Sequence, residues 1–429
     1  MNKQVLGWSL CLVVAGALAI SEWSGGVSAQ APPAAAYIVV LQDDTPNVPA
    51  VASDHARAYG LTVGHTYQSA LRGYAAVIPL ARLGDVQNDP RVRFVSEDRP
   101  VFAVAQSTPT GIKRIHADVS TLALGTGLPL GNLAVAVIDT GSGPHAELNI
   151  AGGKNCSTGN SYNDGNGHGT HVAGTIGAKN NTDGVVGVVP GVSIYSVRVL
   201  NNAGSGSWSS VVCGIDWVTA NAASLNIKVA NMSLGGTGSD DEDCGNSNND
   251  ALHVAICGSV LAGVTYVVAA GNDGADLSGF VPAAYNEVLA VTAIADFNGT
   301  SGGGAAATCR SDVDDTPADF SNFTTAGSSD ERHTIAAPGV CIQSTWKSGG
   351  YKTISGTSMA SPHVAGTVAL CISQNKCSGS PANVIAKMRS DADAAAGNGF
   401  VGDPDSPIIT TGKSPKTLYY GYLVFAGGY

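Results

Sequence analysis

Three stretches of the chain carry side chains that together could perform nucleophilic catalysis. A strand-like apolar run, residues 134–138, ends in Asp139 and a turn glycine. His168 stands at a glycine-rich entry to one helix-like segment. Ser358 stands just before another, where unpaired backbone N–H groups suit a developing oxyanion. These are the parts of a relay in which Asp139 orients His168, His168 takes a proton and Ser358 attacks.

Each stretch also has a plainer interpretation when it is taken alone. Ser358 could cap a helix, because serine is favoured there, and Asp139 could cap a turn. His168 and His171 stand at i and i+3, a spacing that could suit a metal, although no H-E-x-x-H motif is present. The presence of all three stretches in one chain favours the relay.

The chain order Asp, His, Ser differs from the orders in chymotrypsin and in the α/β-hydrolases, and residues 356–360 lack the G-x-S-x-G elbow. Residues 134–141, 164–175 and 355–366 resemble the three motifs of the subtilisin-like serine proteases (subtilases, peptidase S8 family), nearest the proteinase K and bacterial subtilisin branches. The resemblance spans roughly residue 111 to the C-terminus. It implies a serine endopeptidase that cleaves protein and peptide substrates.

The resemblance also assigns residues that would hold the substrate. Asn272, which follows a strand-like run, matches the oxyanion asparagine of the family and would act with the Ser358 N–H; otherwise it would only stabilise a turn. The predicted substrate-binding residues are Gly204, Ser205, Gly206, Ser233, Leu234, Gly235, Ala270 and Gly271. None of these residues is charged, so we expect a broad preference for apolar or aromatic residues at P1.

A calcium site is a further implication of the resemblance. Residues 179–185 resemble a calcium loop of the family, although the family usually has aspartate where this chain has Glu147. Oxygen ligands suit calcium, and a plain surface turn is the alternative. The implied ligands are Glu147, Lys179, Asn181, Asp183 and Val185. No cofactor is expected for catalysis.

The elements that would position these residues alternate between strand and helix. This alternation predicts an α/β fold, with a mostly parallel sheet, helices on both faces and active residues at the carboxyl ends of strands. The predicted strands are 134–138, 193–199, 229–233, 265–269 and 288–293. The predicted helices are 168–178, 207–223, 250–262 and 358–372.

The N-terminal part of the chain predicts export and maturation. Residues 1–29 have the features of a signal peptide, namely Lys3, an apolar run and small residues before the cleavage point; a membrane anchor is the alternative. Residues 30–106 contain a β-α-β-β-α-β pattern, which predicts a small ferredoxin-like domain. It resembles the inhibitor-I9-type propeptide of subtilases, so we expect an intramolecular inhibitor, maturation near residues 105–107 and a peptidase domain at 107–429.

Composition limits the possible partners of the protein and the compartment in which it works. The net charge of −11 over 429 residues argues against nucleic acid as a partner. Eight cysteines follow the predicted signal peptide, and an even number in an exported chain favours disulfides. Sequence does not determine their connectivity; pairing of sequential neighbours is our prediction, namely 156–213, 244–257, 309–341 and 371–377. We expect a secreted monomer that does not stay in the membrane.

Two segments fall outside the predicted core of the peptidase domain, and two other functions are compatible with the sequence. Residues 297–319 indicate a surface insertion, and residues 416–429 a final strand or covering segment. A catalytically silent fold used for binding and a secreted esterase are the rivals. Cleavage of a whole protein substrate would separate a protease from both.

Overall fold

The structure is a computed structural model that describes residues 34–98, 106–412 and 414–429. The predicted signal peptide, residues 30–33 of the predicted propeptide and residues 99–105, which include the start of the predicted maturation region, lie outside the described residues. The chain divides into two compact units, residues 1–103 and 104–429. Within the described ranges, no helix is long and apolar enough to cross a bilayer.

The first unit is an antiparallel sheet with two helices, in the predicted element order. Its sheet order is β2-β3-β1-β4, and strand pairing is antiparallel throughout. Its elements are β1 (Ala34–Leu41), α1 (Val48–Tyr59), β2 (Thr62–Tyr67), β3 (Gly73–Pro79), α2 (Leu83–Gln87) and β4 (Val92–Glu97). Asn47 caps α1 by accepting from the Ala50 N–H, and Gly60 ends it in the left-handed region. The predicted β-α-β-β-α-β fold is confirmed.

The second unit is built on an eight-stranded sheet. Its strand order is β13-β12-β10-β8-β5-β7-β6, with β15 also paired to β12. All the pairings are parallel except that of β13. The other strands of this unit form smaller sheets. The strands of the whole unit are β5 (Ala134–Asp139), β6 (Asn149–Asn155), β7 (Ser193–Arg198), β8 (Ile227–Met232), β9 (Gly236–Thr237), β10 (Thr265–Ala269), β11 (Phe280–Val281), β12 (Leu289–Ala295), β13 (Thr316–Pro317), β14 (Thr324–Thr325), β15 (Thr334–Pro338), β16 (Ile342–Trp346), β17 (Gly350–Ile354), β18 (Ile408–Ile409) and β19 (Thr417–Tyr419).

Helices cover both faces of this sheet, as predicted. Alternate residues of β5 pack on opposite sides, so that Val135 and Val137 belong to one apolar cluster and Ala136 and Ile138 to the other. The first cluster includes residues of α4 and α7, and the second includes residues of α5 and α6. The helices of this unit are α3 (Thr110–Arg114), α4 (His168–Gly177), α5 (Trp208–Asn221), α6 (Ala251–Leu261), α7 (Thr357–Ser373) and α8 (Pro381–Ala394).

The five predicted strands and four predicted helices of this unit are all present, with bounds that differ by one or two residues. No sequence pattern predicted β6, β15, the β16–β17 pair or α8. The first of these, β6, contains Gly152 and Gly153, which weaken a strand pattern. It forms because β7 offers its edge, and a Cβ at Gly153 would lie 2.0 Å from the Ser196 carbonyl oxygen.

The four predicted disulfides are confirmed. They join Cys156 to Cys213, Cys244 to Cys257, Cys309 to Cys341 and Cys371 to Cys377. The segment 297–319 is mostly exposed, as expected of an insertion, apart from a few anchors such as Asp314 and Asp315. The C-terminal segment contains β19 and buries Leu423, Val424 and Tyr429, so it is both a strand and a cover.

Candidate active site

The structure brings Asp139 and His168 together at the carboxyl edge of the main sheet. Asp139 is the last residue of β5 and is fully buried. The His168 Nδ1 atom lies 2.8 Å from Asp139 Oδ1 and 3.0 Å from Oδ2. Since a carboxylate accepts, Nδ1 is the donor, and the Nε2 atom of neutral His168 is left as a base.

The entry to α4 is held in place by Asp164, a residue to which the sequence analysis gave no role. This buried carboxylate accepts hydrogen bonds from the Thr140 hydroxyl at 2.9 Å, the Gly167 N–H at 2.8 Å and the Thr170 N–H at 2.9 Å. It therefore connects the residue after Asp139 to the first turn of the helix that carries His168. A carboxylate at a helix N-terminus is also stabilised by the helix dipole.

Close backbone contact explains the glycine that follows His168. A Cβ at Gly169 would lie 2.0 Å from the Gly141 carbonyl oxygen and 3.0 Å from the Asp139 Cβ. Any larger residue would push α4 away from the end of β5 and would lengthen the contact between Asp139 and His168.

The electrostatics of His168 raise its pKa above the ordinary value for histidine. Burial lowers the pKa of His168. The charge of Asp139 and the hydrogen bond to it raise this pKa by more than burial lowers it, so the net shift is upward. The imidazolium formed during proton transfer is therefore stabilised by Asp139.

Ser358 lies in the first turn of α7, as predicted, and is partly exposed. Its hydroxyl donates to the Ser233 carbonyl at 3.2 Å, and the Ser233 hydroxyl donates to the Ser358 carbonyl at 2.8 Å. Among the hydrogen bonds of the described residues, none joins Ser358 Oγ to His168. Ser233 and His168 both line one cleft, so the Ser358 hydroxyl is hydrogen-bonded to a residue of that cleft.

Asn272 is oriented with its amide N–H₂ group available. Its Oδ1 atom accepts from the Thr357 N–H at 2.8 Å and from the Thr357 hydroxyl at 2.9 Å. The Nδ2 group has no acceptor within the part of the chain that the structure describes, and the residue is exposed. This orientation suits donation to an oxyanion next to the N–H groups at the start of α7.

The other two histidines near the site are buried and neutral. His171 donates from Nε2 to the Ile342 carbonyl at 2.9 Å, and burial lowers its pKa to about 3. His363 contacts the Met359 carbonyl through Nδ1 at 2.9 Å, and burial lowers its pKa to about 4. Because His168 and His171 face different partners, they do not form the metal pair that their spacing allowed.

A cleft of about 640 Å³ opens beside His168. Six of the eight predicted substrate-binding residues line it: Gly204, Ser205, Gly206, Ser233, Leu234 and Gly235. Ala270 and Gly271 do not line this cleft. Both are buried, and the Gly271 N–H donates to the Thr357 hydroxyl at 3.2 Å, so they support Asn272 and Thr357 instead.

Further cleft residues carried no individual prediction. Leu200, Trp208 and Val211 supply apolar surface, and Thr140 and Asn166 supply polar atoms. Trp208 is 40% exposed, and a Cβ at Gly236 would lie 3.0 Å from its ring, so it faces the opposite wall of the cleft. The preference for apolar substrate residues stays a prediction.

Four of the five predicted calcium ligands converge on one point, which is marked by the side chain of Gln106. The Gln106 Nε2 atom lies 2.7 Å from the Lys179 carbonyl oxygen and 3.4 Å from Asn181 Oδ1, the Asp183 carbonyl oxygen and the Val185 carbonyl oxygen. The remaining ligand, Glu147, is buried next to this cluster, and its carboxylate accepts from Asn181 Nδ2 at 3.0 Å. An all-oxygen cluster beside a carboxylate fits a calcium ion. Sequence reasoning missed Gln106, which stands at the predicted cleavage region.

A buried carboxylate that orients an imidazole at the carboxyl edge of a parallel sheet, together with a serine in the first turn of a helix that starts at this edge, is typical of a serine hydrolase. Residues 131–405 match the model of the subtilase family, Peptidase_S8. The chain is 41% identical to subtilisin DY of Bacillus licheniformis, over 63% of this chain and 86% of that protein. It is 38% identical to subtilisin E of Bacillus subtilis, over 70% of each chain.

The chain belongs to the subtilase family. It is a hydrolase, a serine endopeptidase of the subtilisin type, and its substrates are proteins.

Proposed function

We propose that Ser358 is the nucleophile, His168 the general base and Asp139 the residue that orients His168. The Ser358 hydroxyl turns from the Ser233 carbonyl to His168 Nε2 when substrate binds, since catalytic hydrogen bonds often tighten only in the complex. Ser358 Oγ then attacks the peptide carbonyl, and its proton passes to His168. His168 returns this proton to the leaving amine, and water repeats the cycle to release the acid.

The oxyanion of each tetrahedral intermediate is held by Asn272 Nδ2 and the Ser358 N–H. The single observation that carries the mechanism is the hydrogen bond of 2.8 Å between His168 Nδ1 and buried Asp139, at the wall of the open cleft. The substrate binds as an extended strand between the walls at residues 204–206 and 233–235, with an apolar or aromatic side chain at P1.

A structural calcium ion is held by carbonyl oxygens of Lys179, Asp183 and Val185 and by side chains of Asn181 and Glu147. Gln106 would turn its amide so that Oε1 replaces Nε2 at the same point. The ion would supply charge neutralisation for Glu147 and tie the start of the second unit to residues 179–185.

The chain is made as a secreted precursor, and the first unit is its propeptide and inhibitor. The Gln106 N–H donates to the Thr182 carbonyl at 2.9 Å, and the Ser107 N–H donates to the Gly184 carbonyl at 2.7 Å. Since both residues are hydrogen-bonded to the loop at residues 182–184 of the second unit, we propose cleavage before Gln106 rather than after it.

Intact mass spectrometry of the secreted wild type and of Ser358→Ala tests the nucleophile and the processing together. We expect the wild type to lose the residues before Gln106 and the variant to keep them. Ser373→Ala, the same change at the far end of α7, is the control and should mature like the wild type. Equal trimming of both proteins would show that another protease does the processing, and hydrolysis of casein would then decide whether Ser358 is catalytic.

A further inference from the structure

A second polar cluster lies away from the cleft residues, around the buried His253. This residue is the third of α6, and its side chain has no exposed surface. Its Nε2 atom lies 2.8 Å from Glu287 Oε2. The imidazole stacks on Tyr285 with ring centroids 3.9 Å apart. The ring is therefore held in one orientation.

The other ring nitrogen of His253 points at two carboxylates without forming a hydrogen bond to either. Nδ1 lies 3.2 Å from Asp241 Oδ1 and 3.6 Å from Asp240 Oδ1, yet this buried atom has no hydrogen-bond partner. An Nδ1–H group would be expected to point along the line to one oxygen. Here the nitrogen is aimed between the two carboxylates instead.

These separations match the edges of a coordination tetrahedron. Ligands at about 2.0–2.1 Å from a tetrahedral zinc ion lie roughly 3.3 Å from one another. One ligand atom from each of His253, Asp240 and Asp241 lies within 4.8 Å of the other two. Histidine ligands usually donate their other N–H to a carboxylate, and the contact between His253 Nε2 and Glu287 has this form.

The charge around the cluster favours a cation. Asp240, Asp241 and Glu287 surround one imidazole, and the sequence has no lysine or arginine between Lys228 and Arg310. Asp241 is already held in position, because its Oδ1 atom accepts from the Gly245 N–H at 2.8 Å. The backbone of the loop therefore fixes the orientation of the Asp241 carboxylate.

We propose that His253 Nδ1, Asp240 and Asp241 bind a divalent transition-metal ion of the zinc class, with Glu287 orienting the imidazole and water completing the coordination. Cys244 and Cys257 also lie near His253, but they form a disulfide and offer no thiolate. The ion would fasten the segment just before this disulfide, which carries Asp240 and Asp241, to α6. This segment follows β9, which pairs with β11, so the ion would stiffen the structure behind the wall at residues 233–235.

Zinc binding by the full-length Ser358→Ala chain, which is unable to autolyse in the proposed mechanism, provides the test. The protein is first stripped of metal with a chelator. It is then dialysed against zinc ions in a buffer that also contains calcium, so that calcium fills the proposed calcium loop. Elemental analysis should find one more zinc ion per chain in this parent than in its Asp240→Asn or His253→Gln variant. Glu287→Gln should weaken zinc affinity by about 10–100-fold.

Asp243→Asn is the matched control, because Asp243 lies in the same loop and its carboxylate accepts from the Ser247 hydroxyl. It should bind zinc like the parent. Zinc should also raise the melting temperature of the parent and of Asp243→Asn, but not that of Asp240→Asn. Equal zinc content in the parent, Asp240→Asn and His253→Gln would overturn the proposal and leave His253 as a buried group paired with carboxylates. Asp240 is partly exposed, so this variant remains informative if His253→Gln does not fold.

Discussion

At the scale of single residues, the proposed reaction depends on how neighbours orient two polar side chains. Asp139 holds one nitrogen of His168, and Thr357 holds the oxygen of the Asn272 amide. Within the described residues, the atom that would act on substrate is in each case the one left without a protein partner. Such preorganisation lets these groups act in the transition state without first being reoriented.

Asn272→Ala should lower kcat by about 10²–10³-fold with little change in KM, which is the cost measured for removing an oxyanion donor from a subtilisin. The reason is that Nδ2 would bind the oxyanion more strongly than the ground-state carbonyl. Steady-state kinetics on a peptide anilide provide the measurement. Asn383→Ala, which changes an exposed amide on α8, serves as a control, and an unchanged kcat for Asn272→Ala would remove Asn272 from the mechanism.

The pH dependence should report the environment of His168. Its pKa lies above 6.5, because the charge and hydrogen bond of Asp139 outweigh burial. Only the neutral imidazole can accept a proton, so kcat/KM should fall as the pH drops through this raised pKa. In Asp139→Asn the charge is lost and burial remains, so the acid limb should move to lower pH while turnover falls by about 10⁴-fold.

Profiles of kcat/KM from about pH 5 to about pH 9 would check this expectation. Asp216→Asn, which changes an exposed carboxylate on α5, should leave the profile where it is. An acid limb that stays in place in Asp139→Asn would show that another group controls it.

At the scale of elements, the site forms because several strands end at one edge of the sheet. Asp139 ends β5, Ser233 follows β8 and Asn272 lies just beyond β10. Two helices, α4 and α7, then start at this edge and bring His168 and Ser358 to it. In a parallel sheet the carboxyl ends of all strands meet on one side, so residues far apart in sequence become neighbours.

Asp164→Ala should destabilise this edge. The substitution leaves buried donors at Thr140, Gly167 and Thr170 without their acceptor, at a cost of about 3 kcal/mol or more in the free energy of unfolding. Activity should fall as well, because the first turn of α4 positions His168. Urea unfolding of the covalently inhibited enzyme would measure the change in stability.

The matched control for this change is Asp216→Ala, which removes an exposed carboxylate from α5. Its unfolding free energy should stay within about 0.5 kcal/mol of the wild-type value. If Asp164→Ala proved equally harmless, the Asp164 network would not be what holds α4.

At the scale of the whole molecule, the two units differ in how they are stabilised. All four disulfides lie in the second unit. The described part of the first unit contains no cysteine and depends on one small apolar core. Small domains without cross-links are only marginally stable, and a marginal unit is suited to removal.

Calcium removal should destabilise the matured chain. At a calcium concentration about 100 times Kd, a bound ion contributes about 2.7 kcal/mol to the free energy of unfolding. Addition of a chelator should therefore lower the melting temperature and speed autolysis. Gln106→Ala should shrink the difference between calcium and chelator, whereas Ser107→Ala at the next position should not. Equal melting temperatures in calcium and in chelator would show that the chain binds no stabilising calcium ion.

Acid should destabilise the first unit through His55. This residue is fully buried, and its Nδ1 atom lies 2.6 Å from the Tyr74 hydroxyl. Burial lowers the pKa of His55 below 6.5 in the folded state. The unfolded state therefore binds the proton more readily, and stability is lost as the pH falls from the unfolded pKa toward the folded one.

Limited proteolysis of residues 34–98 in the full-length Ser358→Ala chain, at about pH 7.5 and about pH 5.5, would measure this effect. His55→Gln should weaken the pH dependence, while His65→Gln, which changes an exposed histidine, should keep it. An equal rate of cleavage at both pH values in the parent would contradict the expectation.

The sequence by itself determined most of the main elements and the family, and it predicted the residues of the candidate site. Continuous apolar runs such as residues 134–138 predict buried parallel strands, and the motifs around Asp139, His168 and Ser358 predict the chemistry. These features are local, because the period of burial and the backbone needs of a turn appear in a few consecutive residues. The disulfide pairing of sequential neighbours was a prediction that the eight cysteines alone could not determine, and the structure confirms it.

Only the tertiary structure decided which side chains meet across long sequence distances. Gln106 contacts a loop more than 70 residues away, and Glu287 contacts a histidine 34 residues before it. Ala270 and Gly271 support the site from behind, although their neighbours in sequence pointed to the cleft. No local pattern carries this information, because such contacts follow from how the sheet and helices pack, and packing depends on all of the core residues together.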